Sequence, residues 1–66
     1  MRARPELRQH LLARSMQKWA LIGRHPSAYP NISPARARRN FSRLLAKYPK
    51  IAERLGLTPL SAYPPL

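Results

Sequence analysis

The clearest pattern of hydrophobic and polar positions lies in the second half of the chain. Between residues 34 and 55, apolar side chains recur every three or four positions, which is the spacing of one helical face. These positions are Ala37, Phe41, Leu44, Leu45, Tyr48, Ile51, Ala52 and Leu55. Ser33 and Pro34 provide an N-cap and a first helical residue, because the Ser hydroxyl accepts from a free amide and Pro carries none. We therefore expect a helix over residues 34–55.

A proline interrupts this second helix without shifting its apolar phase. Because the pattern continues unchanged on both sides of Pro49, we expect one helix kinked there, or two nearly coaxial helices, and no sharp turn. Gly56 is placed to cap the end of the helix, and Thr58-Pro59 prevents it from resuming. Residues 57–66 are then expected to form an extended Pro-rich arm.

The first half of the chain predicts a second, less regular amphipathic helix. Pro5 suits a first helical turn, and the residues after it favour helix as far as Gly23. The apolar positions on one broad side of this helix are Leu7, Leu11, Leu12, Met16, Trp19 and Ile22. The connector over residues 24–33 contains two prolines, which exclude an α-helix. The sequence therefore predicts an all-α, two-helix hairpin, with helices over residues 5–23 and 34–55.

A chain of 66 residues forms at most one small module over residues 1–66, and it buries little apolar surface. It contains no Cys, so no disulfide reinforces the fold. We therefore expect an oligomer or a protein partner to stabilise it. The candidate partner-binding residues are Leu12, Met16, Trp19, Phe41, Leu44, Leu45, Tyr48, Ile51, Leu55 and Tyr63.

Charge adds the strongest indication of function. The chain contains thirteen Lys and Arg residues and two Glu residues, which gives a formal net charge of +11. Ten of the thirteen are Arg, whose planar guanidinium pairs bidentately with phosphate. Opposite the apolar face of the second helix lies a basic stripe about 27 Å long at 1.5 Å per residue. Its members are Arg36, Arg39, Arg43, Lys47, Lys50 and Arg54. The alternative is a solvated face, but such faces usually mix charges of both signs, so we expect nucleic-acid binding.

The tetrapeptide Ser-Ala-Tyr-Pro occurs twice, at residues 27–30 and 61–64. The two copies are compatible with a duplicated unit and equally with coincidence in a chain rich in these residues. Aromatic residues in a basic protein also raise the alternative of stacking on unpaired bases. For Tyr29 and Tyr63 we expect packing over proline or onto a partner instead.

The sequence gives little support for catalysis, metal binding or membrane association. No Cys nucleophile, paired carboxylate or Gly-rich phosphate loop is present, so we predict no enzyme and no catalytic residue. His10 and His25 lack acidic partners, and we predict no metal site and no cofactor. The longest apolar run has five residues, so we expect no membrane association. The Arg-rich N-terminus leaves an organelle-import signal as an alternative.

From Tyr29 to Ser61 the chain resembles the C-terminal part of small terminase subunits of tailed phages. The matching elements are Tyr29-Pro30, then Pro34, the Arg-rich helix, and the segment RLGLTPLS at residues 54–61. The resemblance implies an all-helical protein that binds DNA, often as a ring, beside the large terminase subunit. After Ser61 the family continues with Arg and a polar segment, whereas Ala-Tyr-Pro-Pro follows here.

The resemblance predicts a small DNA-packaging accessory from a phage or phage satellite. A chain of this length does not hold the family's N-terminal portion, so we expect it to join a full-length terminase small subunit. It would then alter which DNA is packaged, in the cytoplasm of the bacterial host during infection. The alternatives are a basic RNA-binding or ribosome-associated protein, and an adaptor or inhibitor that docks on an acidic partner.

Overall fold

The computed structural model describes residues 5–64, and within this range it contains helices and no strands. The predicted all-α class is therefore confirmed. The first four residues of the import-like N-terminus and the last two residues of the predicted arm lie outside the described range. The elements are α1 (Pro5–Arg24), a 3₁₀ turn (Pro26–Ala28), α2 (Pro34–Lys47), α3 (Pro49–Leu55) and a second 3₁₀ turn (Pro59–Ala62). We call the last of these the C-terminal turn.

Helix α1 ends one residue later than predicted, but its buried face is shorter than the predicted apolar side. Met16 is fully buried and Ile22 is buried, whereas Leu7 and Leu11 are 53% and 54% exposed. Around the helix Leu7 and Leu11 lie within about 60° of the buried Ile22, so they share its side of α1. The predicted apolar side is therefore buried or half-buried only from Leu12 onward.

Of the two arrangements predicted for residues 34–55, the structure has two separate helices, because Tyr48 leaves helical geometry. Its backbone angles are φ −129° and ψ 62°, and it separates α2 from α3. The ring of Pro49 disfavours the α conformation in the residue before it, which accounts for the break. The Tyr48 amide still donates to Leu44 O over 2.8 Å, and Ala52 N donates to Tyr48 O over 3.2 Å. These bonds keep the two helices in phase, so the predicted apolar positions of both are buried or half-buried.

The hydrophobic core forms where α1, α2 and the C-terminal turn meet. Its central cluster consists of Ala20, Phe41 and Ala62, all at most 5% exposed. The side chains packed partly against this cluster are Trp19, Leu45 and Leu57. Phe41 is the one large side chain of the central cluster, so the core is thin, which agrees with the limited burial expected of a short chain.

The C-terminal segment folds back onto the helices and is not the extended arm predicted from its prolines. Gly56 adopts the left-handed conformation (φ 70°), and Leu57 N donates to Ala52 O over 2.9 Å. This Schellman motif reverses the chain direction after α3. The amide of Thr58 then donates to Ser61 Oγ over 2.8 Å, which stabilises the C-terminal turn. The turn packs against α1 and α2.

Candidate nucleic-acid interface

Four of the predicted phosphate-binding residues form one exposed face of α2, which we call the α2 basic face. It consists of Arg36, Arg39, Arg43 and Lys47, all exposed. At 1.5 Å per residue, the first and last of these are about 17 Å apart along the helix. Ser33 caps the helix as predicted, because its Oγ accepts a hydrogen bond from Arg36 N over 3.0 Å. The cap fixes the start of α2 and with it the register of the four cations.

Lys50 and Arg54 are also exposed, but they belong to α3. The predicted stripe is therefore not one straight line of about 27 Å on a single helix, because the helical path breaks at Tyr48. Arg54 lines a cleft between α3 and the N-terminal half of α1, together with Glu6 and His10. The two α3 cations thus extend the basic surface from a separate element.

The structure adds a residue that the helical pattern did not single out. Arg38 lies on α2 outside the basic face, and its guanidinium carbon is 4.4 Å from the centre of the Tyr63 ring. The Nε atom of Arg38 is buried and finds no hydrogen-bond partner among the described residues. No sequence signal pairs these residues, because they are far apart in the chain and the tail was expected to extend. The one sequence signal that could have indicated a separate role for Arg38 is its position on a helical wheel, between the apolar and basic faces of α2.

The predicted partner-binding residues fall into three groups. Met16 and Phe41 are 0% and 1% exposed and belong to the core of this chain, so they offer no surface to a partner. Tyr63 is 45% exposed. The remaining residues are half-buried: Leu12, Trp19, Leu44, Leu45, Tyr48, Ile51 and Leu55.

Other apolar side chains, which the sequence did not select for binding, reach the surface. Leu60 is 75% exposed at the C-terminal turn, and Leu21 is 46% exposed on α1. Beside Leu60, an apolar groove runs between α3 and the tail, with one acidic residue at its edge. Its lining is Leu45, Pro49, Ala52, Glu53, Gly56, Leu57, Thr58 and Pro59.

Two further cations lie over aromatic rings. Lys18 Nζ is 4.9 Å from the centre of the Trp19 ring, and Lys47 Nζ is 5.7 Å from the centre of the Tyr48 ring. Both rings are half-buried. In each pair the cation directly precedes the aromatic residue in the sequence, so the contact is local.

Within residues 5–64, no group of three or more His, Cys, Asp or Glu is placed to hold a metal ion. No helix in that range combines the length and hydropathy that crossing a membrane requires. Neither a protein-family model, nor a curated protein, nor a solved structure matches this chain. The resemblance to small terminase subunits and the absence of enzymatic activity therefore stay predictions.

Proposed function

We propose that this chain binds nucleic acid by contacting phosphates with the α2 basic face. The observation that supports the proposal best is that its four cations are all exposed on one side of a helix that contains no acidic residue. Three of the four are Arg, which can hold two phosphate oxygens at once. The formal charge of +11 adds long-range attraction to any polyanion.

The proposed contacts are with the phosphate backbone, so the binding is expected to tolerate different base sequences. Phosphate contacts fix the position of a protein on a duplex but carry no direct sequence information. Four contacts predict that log K falls with log salt at a slope of about −3.6 for duplex DNA. Added contacts from Lys50 and Arg54 would steepen the slope to about −5.

The test removes three positive charges from the α2 basic face and compares the loss of binding with that caused by removing three charges from another helix. The variant R39Q/R43Q/K47Q should weaken duplex binding and flatten the salt slope by about 2.7, at about 0.9 per contact. Its matched control is R8Q/R14Q/K18Q, which removes three exposed cations from α1. Fluorescence anisotropy with a labelled duplex at several salt concentrations gives both slopes. An equal effect of the two triple variants would show that net charge alone drives binding, against an α2 interface.

The resemblance in residues 29–61 supports a more specific form of this proposal. In that form the chain is a DNA-packaging accessory of a phage or phage satellite, which acts in the host cytoplasm. It joins a terminase small subunit and changes which DNA is packaged. The exposed Leu60 and the adjoining apolar groove are the surface proposed for that protein partner.

Purification of the tagged chain from infected cells, with identification of the bound protein and nucleic acid, tests the packaging role. A terminase small subunit recovered with DNA, and an altered population of packaged DNA when the chain is absent, are the expected results. Recovery of RNA with ribosomal proteins would instead favour the RNA-binding alternative. Phosphate contact by α2 could hold in either case, so the anisotropy and purification experiments test separate proposals.

A further inference from the structure

Tyr63 is the exposed aromatic residue of this protein. The chain has five aromatic side chains, and the structure describes all of them. Phe41 is buried, and Trp19, Tyr29 and Tyr48 are half-buried. Tyr63, by contrast, is 45% exposed although the neighbouring Ala62 is fully buried. The backbone is thus anchored in the core while the next side chain is presented to solvent.

Arg38 supports the Tyr63 ring from one side. Its guanidinium carbon lies 4.4 Å from the ring centre, within the range of a cation–π contact. The Arg38 Nε is buried, so this side chain is held between the protein and the ring. A ring that is fixed in this way loses little conformational freedom when a ligand binds. Because one face rests on Arg38, the exposed part of the ring is directed away from the helix.

The supported ring lies beside one edge of the α2 basic face, on the side of Arg39. Arg38 directly precedes Arg39, and at 3.6 residues per turn the two side chains are about 100° apart around the helix. The exposed Ser42 lies between them on the helix surface. Arg36, Arg43 and Lys47 lie about 140–180° from Arg38 around the helix, so a strand reaches Tyr63 by passing from Arg39 over Ser42.

We propose that Tyr63, supported by Arg38, is a stacking platform for an unpaired base of single-stranded nucleic acid. The inference rests on the proposed function, because a phosphate contact at Arg39, the edge of the α2 basic face, brings the strand to the ring. Every base has a flat π face, so stacking on Tyr63 adds affinity without selecting a sequence. A duplex cannot use this platform unless a base leaves the stack, so the platform favours single strands.

The direct test is the variant Tyr63→Leu, which removes the ring and keeps an apolar side chain. Stacking on one aromatic residue is usually worth enough that its loss weakens binding about fivefold or more. We expect Y63L to bind oligo(dT) at least about fivefold more weakly than the wild type. Binding to a duplex of equal length should stay within about twofold, because only phosphate contacts are used there. Equal losses on both probes, or no loss on either, would overturn the platform.

The chain offers a matched control and a rescue. Tyr29→Leu alters the same tetrapeptide at its other copy, where the ring is half-buried, and should leave the single-strand preference unchanged. Tyr63→Trp keeps a stacking surface and should bind oligo(dT) as tightly as the wild type or more tightly. Its added Trp fluorescence should be quenched by oligo(dT) beyond the change shown by Trp19 in the wild type. Absence of that extra quenching would also overturn the platform, even if Y63L failed to fold.

Failure of the platform is distinguishable from failure of the proposed function. If the wild type binds duplex and single strand, and R39Q/R43Q/K47Q weakens both, phosphate contact by α2 holds whatever Y63L does. If the wild type binds neither probe, both proposals are overturned. Circular dichroism of each variant shows whether a loss of binding comes with a loss of helix.

Discussion

Gly23 of α1 packs directly against Ala62 of the C-terminal turn. A Cβ atom added to Gly23 would lie 2.9 Å from the Cβ of Ala62 and closer still to its carbonyl oxygen. The absence of a side chain at Gly23 thus creates the space into which the tail folds. The sequence assigned Gly23 to the end of the first helix, but the structure places it within α1, which ends at Arg24. Its role is close packing, and it is not a left-handed cap.

Gly23→Ala should lower the stability of the fold. In an unobstructed helix, Ala is favoured over Gly by about 1 kcal/mol, so the substitution would normally stabilise. Here the added methyl group meets the backbone of Ala62, and overpacking of this kind usually costs about 1–3 kcal/mol. Thermal unfolding by circular dichroism should give a lower Tm. Gln17→Ala, at an exposed position of the same helix, serves as the control. A Tm for G23A equal to or above that of the wild type would contradict the close contact.

The two copies of the tetrapeptide allow one substitution to be tested in two environments. Ala62 is fully buried in the core, whereas Ala28, its counterpart in the first copy, is exposed. Ala62→Leu should therefore destabilise the protein by about 1–3 kcal/mol through overpacking. Ala28→Leu should change stability by less than about 0.5 kcal/mol, as surface substitutions usually do. Urea unfolding measures both, and similar effects of the two would argue against a folded tail.

The N-cap of α2 should contribute measurable stability. Ser33 Oγ accepts from Arg36 N over 3.0 Å, and loss of such a cap typically costs about 1 kcal/mol. We expect Ser33→Ala to lower the urea midpoint by an amount corresponding to this value. Ser42→Ala, in the exposed interior of the same helix, should be neutral or slightly stabilising because Ala has the higher helix propensity. The reverse order of the two midpoints would be inconsistent with capping by Ser33.

The break at Tyr48 predicts unequal roles for the cations of α2 and α3. R39Q/R43Q and K50Q/R54Q each remove two positive charges. The first pair lies within the α2 basic face, whereas Arg54 lines the cleft beside Glu6 and His10 on α1. R39Q/R43Q should therefore weaken duplex binding more and flatten the salt slope by about 1.8. Anisotropy titrations compare the two double variants. An equal loss of affinity would show that the cations of α2 and α3 contribute equally, as the stripe predicted from the sequence implies.

Much of the local structure could be predicted from the sequence. The start of α2 follows from Ser33 and Pro34, and the end of α3 follows from Gly56, because caps act through bonds between residues close in the chain. The break at Tyr48 also has a local cause in Pro49, but the continuous apolar phase favoured a kink. Because the Tyr48 amide keeps its hydrogen bond to Leu44 O, the apolar positions stay in phase across the break between α2 and α3. Hydrophobic periodicity alone therefore could not distinguish the two arrangements.

By itself, the sequence determined the all-α class, the start of α2 and the exposed basic face of that helix. Neither 3₁₀ turn was predicted, although each begins at a proline and ends at the Ser-Ala of one copy of the tetrapeptide. Only the tertiary structure decided that one copy is exposed and the other is packed in the core. The physical reason is that burial depends on the opposing surface, and the space left by Gly23 is occupied by Ala62. The same packing brings Tyr63 over Arg38, a contact between residues that no local pattern connects.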